Sequence, residues 1–134
     1  MNNIEIVQKA YQCFISRDIP GLLGLFSDDI GWKTPVVENA AYYGPRTGLV
    51  AVREFFALLD VNEDITDFLP KEFIAEKDKV VVLGARTSTV KPTGKTLSID
   101  WVHIFTVNDE KITNFLEFFD NVAVARAFLK AANA

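Results

Sequence analysis

Three charged side chains carry the clearest acid–base chemistry in this sequence: Arg86, Asp100 and Glu117. Each lies in a stretch of mostly apolar residues that predicts a β-strand. A carboxylate on an apolar wall is desolvated, which raises its pKa and suits it to general acid–base work. A neighbouring arginine opposes that rise and could orient a substrate or stabilise an oxyanion. The alternative is an ion-pair cluster that only holds the sheet together or rims it.

Other reactive side chains are scarce. The chain has one histidine, His103, and one cysteine, Cys13. That is too few for a His/Cys metal site, and a single cysteine forms no intrachain disulfide. No glycine-rich phosphate-binding loop is present, so we expect neither a metal nor a cofactor. Cys13 lies on a predicted helix beside Phe14, which favours a buried, inert thiol.

The overall composition predicts a single globular domain over residues 1–134. The chain has 134 residues, a net charge of −4 and 11 phenylalanines. The length suits one domain, and the acidic balance without a basic run argues against binding to nucleic acid or anionic membranes. No apolar stretch approaches the length of a membrane span, and no signal-peptide apolar region is present. We therefore expect a soluble, cytoplasmic protein.

Helical and strand periodicities divide the chain into two halves. In the first half they predict a helix over 3–17, a short helix after Asp18, a strand over 30–34, a loop over 35–45 and a helix over 48–59. In the second half they predict strands over 66–75, 80–90, 96–107 and 111–119, then a helix over 121–132. Short breaks between these strands predict an antiparallel meander. The fold class is therefore α+β, with N-terminal helices packed against a curved antiparallel sheet and a C-terminal helix.

Hairpin geometry predicts which side chains share a face of the sheet. A tight turn at Asp109-Glu110 pairs Val102 with Glu117, and a five-residue loop over 91–95 pairs Arg86 with Asp100. Arg86, Asp100 and Glu117 then share one face, where their apolar neighbours are Val82, Val102, Ile104, Phe115 and Phe119. A slip of one residue in either hairpin would break this prediction.

The opposite face is predicted to be apolar as well. It would carry His103, Phe105 and Phe118, and too little helix remains to cover it. A second copy of the chain is the simplest cover, so we expect a homodimer through the convex face of the sheet. His103 is accordingly expected at that interface or in the core, away from the site.

The order and spacing of several motifs resemble the SnoaL-like branch of the nuclear transport factor 2-like superfamily, which includes ketosteroid isomerases, polyketide cyclases and limonene epoxide hydrolase. The resemblance covers nearly the whole chain. It rests on Ser16-Arg17-Asp18-Ile19, Leu25-Phe26-Ser27-Asp28-Asp29-Ile30, Tyr43-Gly44-Pro45-Arg46-Thr47-Gly48, Val52-Arg53-Glu54-Phe55-Phe56, Pro92-Thr93-Gly94-Lys95, Lys111-Ile112 and Glu117-Phe118-Phe119-Asp120.

This resemblance implies a cone of curved sheet closed by helices, usually dimeric, around an apolar pocket. The base of the ketosteroid isomerases falls on Thr34, which cannot act as such a base, and their protonated aspartate falls nearest Val102. Their helix tyrosine falls one place from Tyr11. The second catalytic carboxylate of the epoxide hydrolase matches Glu117, but its Arg-x-Asp pair falls on Gly84 and Arg86, so that pair is lost.

The sequence thus predicts an isomerase-, cyclase- or hydrolase-type enzyme for a small, apolar molecule. Glu117 would be the general base or acid, Asp100 its partner and Arg86 the orienting cation. The residues predicted to contact substrate are Tyr11, Trp32, Thr34, Val102, Phe115 and Phe119. The alternatives are a non-catalytic pocket for a hydrophobic ligand and a dimeric interaction module.

Overall fold

A computed structural model of the chain describes residues 1–130, which form helices along one side of a curved sheet. The helices are α1 (Asn3–Ile15), α2 (Ile19–Leu23), α3 (Leu49–Asn62) and α4 (Asn121–Phe128). The strands are β1 (Phe26–Lys33), β2 (Pro45–Thr47), β3 (Glu63–Glu76), β4 (Lys79–Val90), β5 (Thr96–Asn108) and β6 (Lys111–Phe119).

The strands form one six-stranded sheet in the order β2-β1-β6-β5-β4-β3. The predicted meander β3 to β6 is its antiparallel body. β1 adds to it in parallel beside β6, and β2, which begins at the last residue of the loop predicted over 35–45, pairs antiparallel with β1. The α+β class is therefore confirmed, with one parallel pair that strand periodicity did not indicate.

Side-chain caps fix where the helices begin. The Asn2 side chain accepts a hydrogen bond from the Glu5 backbone N–H, and the Glu5 carboxylate accepts one from the Asn2 backbone N–H, which makes a capping box for α1. Asp18 caps α2, and Asp120 caps α4 by accepting from two backbone N–H groups. The helix predicted over 121–132 ends at Phe128; Ala131 and Ala132 lie outside the described residues.

Both hairpins around β5 differ by one residue from the predicted register. The last turn is the expected tight turn, since Asn108 pairs with Lys111 and both Asp109 and Glu110 have positive φ. A β-bulge then skips Thr113, so His103 rather than Val102 pairs with Glu117. In the other hairpin Thr89, and not Val90, pairs with Thr96, so Arg86 pairs with Ile99 and Asp100 pairs with Ala85.

The core lies between the helices and the inner, concave face of the sheet. Val52 and Phe55 of α3 and Ile6 and Val7 of α1 are buried there, against strand residues such as Val82. Burial of this apolar surface is the main stabilising contribution to such a fold. Within the described part of the chain, no helix has both the length and the apolar character that a membrane crossing requires.

Candidate functional site

A small cavity lies at the centre of the concave face. Its volume is ≈ 70 Å³. Aromatic and aliphatic side chains make most of its wall, with a few polar groups among them. The polar or titratable lining residues are Tyr11, Trp32, Tyr43, Arg86, His103 and Glu117.

Three of these side chains form a hydrogen-bonded chain, which we call the Tyr11 chain. The Tyr11 hydroxyl lies 2.8 Å from His103 Nδ1. His103 Nε2 lies 2.7 Å from Glu117 Oε2. Tyr11 comes from α1, His103 from β5 and Glu117 from β6, and the last two face each other because of the Thr113 bulge. The three residues are therefore positioned by both the helix packing and the strand register.

The protonation of this chain follows from its burial. Burial lowers the pKa of His103 below its usual value, and Glu117 only partly opposes this. Burial also raises the pKa of Tyr11, and Glu117 adds to that rise. A neutral imidazole between a carboxylate and a protonated phenol has one consistent arrangement: Nε2–H donates to Glu117, and Nδ1 accepts from the Tyr11 O–H.

The imidazole is held in place by Trp101. The two rings stack with centroids 3.8 Å apart, and the Tyr11 ring lies roughly parallel to both, with its centroid 5.9 Å from each. Trp101 in turn lies flat across Gly84 of the neighbouring strand. A Cβ at Gly84 would overlap the Trp101 ring and lie 2.6 Å from the Leu69 carbonyl oxygen. Only glycine leaves room for this arrangement.

A second polar group, the Glu63 cluster, lies beside the cavity. Glu63 is the first residue of β3, and its side chain is fully buried. It accepts hydrogen bonds from the hydroxyls of Tyr42 (2.6 Å), Tyr43 and Ser88 (3.3 Å). Its Oε1 also forms an ion pair with Arg86 Nη1 at 3.0 Å. The buried carboxylate is thus neutralised by one cation and hydrogen-bonded by three hydroxyls, as burial of a charge requires.

Arg86 links this cluster to the cavity. Its Nη2 donates to the Tyr43 hydroxyl at 3.1 Å, and its guanidinium lies over the Phe119 ring at 5.7 Å. Burial alone would lower the pKa of Arg86, but Tyr43, Glu63 and Glu117 together raise it above its usual value. Arg86 is therefore a permanent cation in the cavity wall.

Two buried donors on cavity-lining residues have no protein partner among the described residues. They are Arg86 Nε and Trp32 Nε1. A buried N–H without a partner costs free energy, so each favours a bound molecule that supplies an acceptor oxygen. Trp32 is held rigidly by Phe115, with ring centroids 3.9 Å apart. The cavity wall thus includes one carboxylate and two fixed side chains that each have a buried donor atom without a partner.

The register shift corrects several sequence predictions for β5. Asp100 is exposed on the outer face of the sheet, opposite Ala85, so the prediction that it partners Glu117 is wrong. Val102 is also on the outer face, opposite Phe118, and does not line the cavity. Ile104 follows the same parity.

The same shift brings the other side of β5 inward. His103 and Phe105 line the cavity, so their predicted place on the outer face was wrong. Phe118 is 53% exposed on the outer face, as predicted. Sequence reasoning missed His103 as a site residue because strand parity was the only signal for it.

The remaining predicted residues are distributed as follows. Tyr11, Trp32, Arg86, Phe115 and Glu117 line the cavity, and Phe119 packs against Tyr43 and Arg86 beside it. Thr34 lies outside the cavity wall, because its hydroxyl accepts from the Gly44 N–H at 2.7 Å and fixes the loop between β1 and β2.

The sequence did not predict the Glu63 cluster, in which Tyr42 and Tyr43 donate hydrogen bonds to Glu63. Glu63 falls between two predicted elements, and its partners come from a loop and from β4. Within residues 1–130, no three His, Cys, Asp or Glu side chains come together in a way that could hold a metal ion.

Known proteins share this fold and family. The family model of the SnoaL-like domain, which describes the sequences of that family, matches residues 7–115 of this chain. An NTF2-like protein from Burkholderia xenovorans LB400 is 31% identical, with 95% of each chain covered and a TM-score of 0.86. TerC, crystallised with polyporic acid, is 32% identical over 94% of this chain and 97% of its own, with a TM-score of 0.80.

A protein from Xanthomonas campestris with a cystatin-like fold is 22% identical over 98% of this chain and 100% of its own, with a TM-score of 0.82. At that identity the likeness shows the fold alone. No curated protein matches the chain. The family model covers most of the chain and two relatives are more than 30% identical to it, so the chain belongs to the SnoaL-like family of the NTF2-like superfamily.

Proposed function

We propose that this protein is an acid–base enzyme of isomerase, cyclase or hydrolase type that acts on a small, mostly apolar molecule without a cofactor. The observation that carries the proposal is the Tyr11 chain, which places the Glu117 carboxylate and a neutral imidazole in the wall of an apolar cavity. TerC, the relative co-crystallised with polyporic acid, supports an organic molecule as the ligand of this chain.

Glu117 is the proposed general base. Its Oε2 is held by His103, and in the described part of the chain no hydrogen bond reaches its other oxygen, Oε1. Oε1 is therefore available to take a proton from a bound substrate. His103 keeps the carboxylate in position and is itself kept in position by Tyr11.

Arg86 and Trp32 are the proposed stabilisers of the charge that this proton transfer creates. Removal of a proton next to a carbonyl group leaves negative charge on oxygen, and Arg86 Nε and Trp32 Nε1 are fixed donors without a protein partner. Such pre-positioned donors are most effective in an enclosed site from which water is excluded. The positive charge of Arg86 also attracts the negative charge that forms on the substrate oxygen and so stabilises it further.

The test is hydrogen–deuterium exchange at carbon. A panel of small ketones, such as 2-tetralone, is incubated with the protein in D₂O, and exchange of the α-protons is followed by NMR. We expect Glu117→Gln to slow exchange by ~10²–10⁴-fold, the usual contribution of a general base. The matched control is Asp100→Asn, which removes a carboxylate from the outer face of the same sheet and should leave exchange unchanged.

The alternative is a non-catalytic pocket that binds a hydrophobic ligand, which the aromatic cavity wall would also support. A ketone that binds in the cavity, yet exchanges no faster with the native protein than with Glu117→Gln, would establish this alternative and overturn the catalytic proposal. Equal losses in Glu117→Gln and Asp100→Asn would also overturn it.

We further propose that the chain forms a homodimer through the outer face of the sheet. Leu69, Ile74 and Phe118 are on this face and are 44%, 50% and 53% exposed. Apolar side chains exposed together on a sheet favour association. Phe118→Asp should convert a dimer into a monomer in analytical ultracentrifugation, and a native protein that sediments as a monomer at all concentrations would contradict this.

A further inference from the structure

A second, larger cavity adjoins the first. It lies between the end of α1, α3 and the first part of β3, and its volume is ≈ 650 Å³. We call it the outer cavity, and the one beside Glu117 the inner cavity. Five residues line both: Phe14, Phe56, Leu59, Ile65 and Phe68. These five apolar side chains therefore lie between the two spaces.

The separating side chains form an aromatic partition. Phe14 and Phe68 meet edge to face with ring centroids 5.0 Å apart, and Phe14 lies 5.9 Å from Phe56. Phe14 and Phe68 are only half-buried. Half-buried rings change rotamer much more readily than core rings, so this partition is the least fixed part of the inner cavity wall.

The volumes of the two cavities differ in a way that restricts the ligand. Sites for organic molecules usually have volumes of ~300–1,000 Å³, so the outer cavity is in that range and the inner cavity, at ≈ 70 Å³, is far below it. The inner cavity accommodates one end of a molecule, next to Glu117 and Arg86. The rest of such a molecule must extend past Phe14 and Phe68 into the outer cavity.

The outer cavity also indicates the chemistry of that remaining part. Phe14, Ile19 and Phe56 give it an apolar floor. Its exposed charged lining residues are Arg17, Arg53, Asp60 and Asp67, two of each sign. Balanced charges with many donors and acceptors favour an uncharged polar group over an ion of either sign.

We propose that the outer cavity is a second subsite, which binds the apolar body and the uncharged polar end of an elongated substrate while its reacting end occupies the inner cavity. The assignment of the reacting end rests on the proposed function. Binding in the outer cavity does not, because it needs no chemistry at Glu117.

Ala57 makes the test possible. It is exposed on α3 and lines the outer cavity without lining the inner one, so Ala57→Trp fills the outer cavity alone. Val50 is on the same helix, is 81% exposed and lines neither cavity, so Val50→Trp is the matched control. Both substitutions are at exposed sites, where the effect on folding is small.

The probes are phenol and 4-hexylphenol, with affinities measured by calorimetry. Each buried methylene favours binding by ~fourfold, so the native protein should bind 4-hexylphenol at least ~100-fold more tightly than phenol. Ala57→Trp should weaken the affinity for 4-hexylphenol by more than ~10-fold and change the affinity for phenol by less than ~twofold. Val50→Trp should change neither affinity. Equal affinity for both probes, or equal effects of the two tryptophan substitutions, would overturn the proposal.

Three further probes test the polar end. A terminal alcohol on the hexyl chain should bind more tightly than a terminal carboxylate or a terminal amine. An ion of either sign that binds more tightly than the alcohol would overturn the inference about charge. Glu117→Gln should change the affinities for phenol and 4-hexylphenol by the same factor and leave their ratio unchanged, because only the phenol end lies beside Glu117. A failure of the proposed chemistry and a failure of this subsite therefore give different results.

Discussion

The Tyr11 chain and the Glu63 cluster lie side by side on the same sheet and use the same kinds of residue in different ways. Glu63 is enclosed, with every side-chain oxygen bonded to hydroxyls or to Arg86. Glu117 has one bonded oxygen and is partly open to the cavity. A saturated carboxylate is a fixed anchor, whereas an unsaturated one keeps the capacity to take a proton. The difference favours a structural role for Glu63 and supports the proposed acid–base role of Glu117.

The largest loss of stability is expected from removing the Glu63 side chain, which is bonded to Arg86. Glu63→Ala leaves Arg86 buried without an anion, and loss of one partner of a buried pair costs ~3–5 kcal/mol in the free energy of unfolding. Urea denaturation measures the change. Asp64→Ala, at the exposed neighbouring position, is the control and should have an effect below ~0.5 kcal/mol. A loss under ~1 kcal/mol at Glu63 would remove the distinction between the two clusters.

The next effect is a dependence of stability on pH that comes from His103. Its pKa is lowered in the folded state, so the unfolded chain binds more protons below pH ~6.5. The contribution of His103 to the free energy of unfolding is therefore fully present above that pH. It is lost as the pH decreases, by up to ~1.4 kcal/mol per pH unit for one proton. Arg86, Glu117 and Tyr11 are the titratable groups that face the imidazole.

Thermal unfolding of the native protein and of His103→Gln between pH 5 and 8, roughly the range in which histidine titrates, measures this contribution. The variant should show a shallower decrease in stability toward acid pH. Identical slopes in the two proteins would mean that His103 is not the neutral member of the Tyr11 chain.

The smallest change in the free energy of unfolding is expected from substitution of Glu117. In Glu117→Gln the amide oxygen can still accept from His103 Nε2–H, so the free energy of unfolding should decrease by less than ~1 kcal/mol. Chemical denaturation of this variant beside Glu63→Gln compares the two clusters directly. A loss as large as that of the Glu63 variant would show that Glu117 is also an anchor.

Much of the fold could be predicted from the sequence, since the apolar periods and the caps at Asp18 and Asp120 are local signals. The faces of β5 could not. A bulge at Thr113 and the pairing of Thr89 with Thr96 shift the two hairpins by one residue each, and the two errors cancel across β5. Arg86 and Glu117 were therefore placed correctly with respect to each other, while Asp100 and His103 were exchanged. Neither irregularity has a strong sequence signature.

The glycine at position 84, which has no side chain, affects the thermodynamics of ligand binding at the site. It lets Trp101 lie flat against β4, and His103 stacks on that ring. The imidazole therefore loses its rotational freedom when the chain folds and not when a ligand arrives. Fixing a side chain costs ~0.5–1.5 kcal/mol at a binding site. Here that entropy is already lost before any molecule enters the cavity, so binding energy is not used to order the histidine.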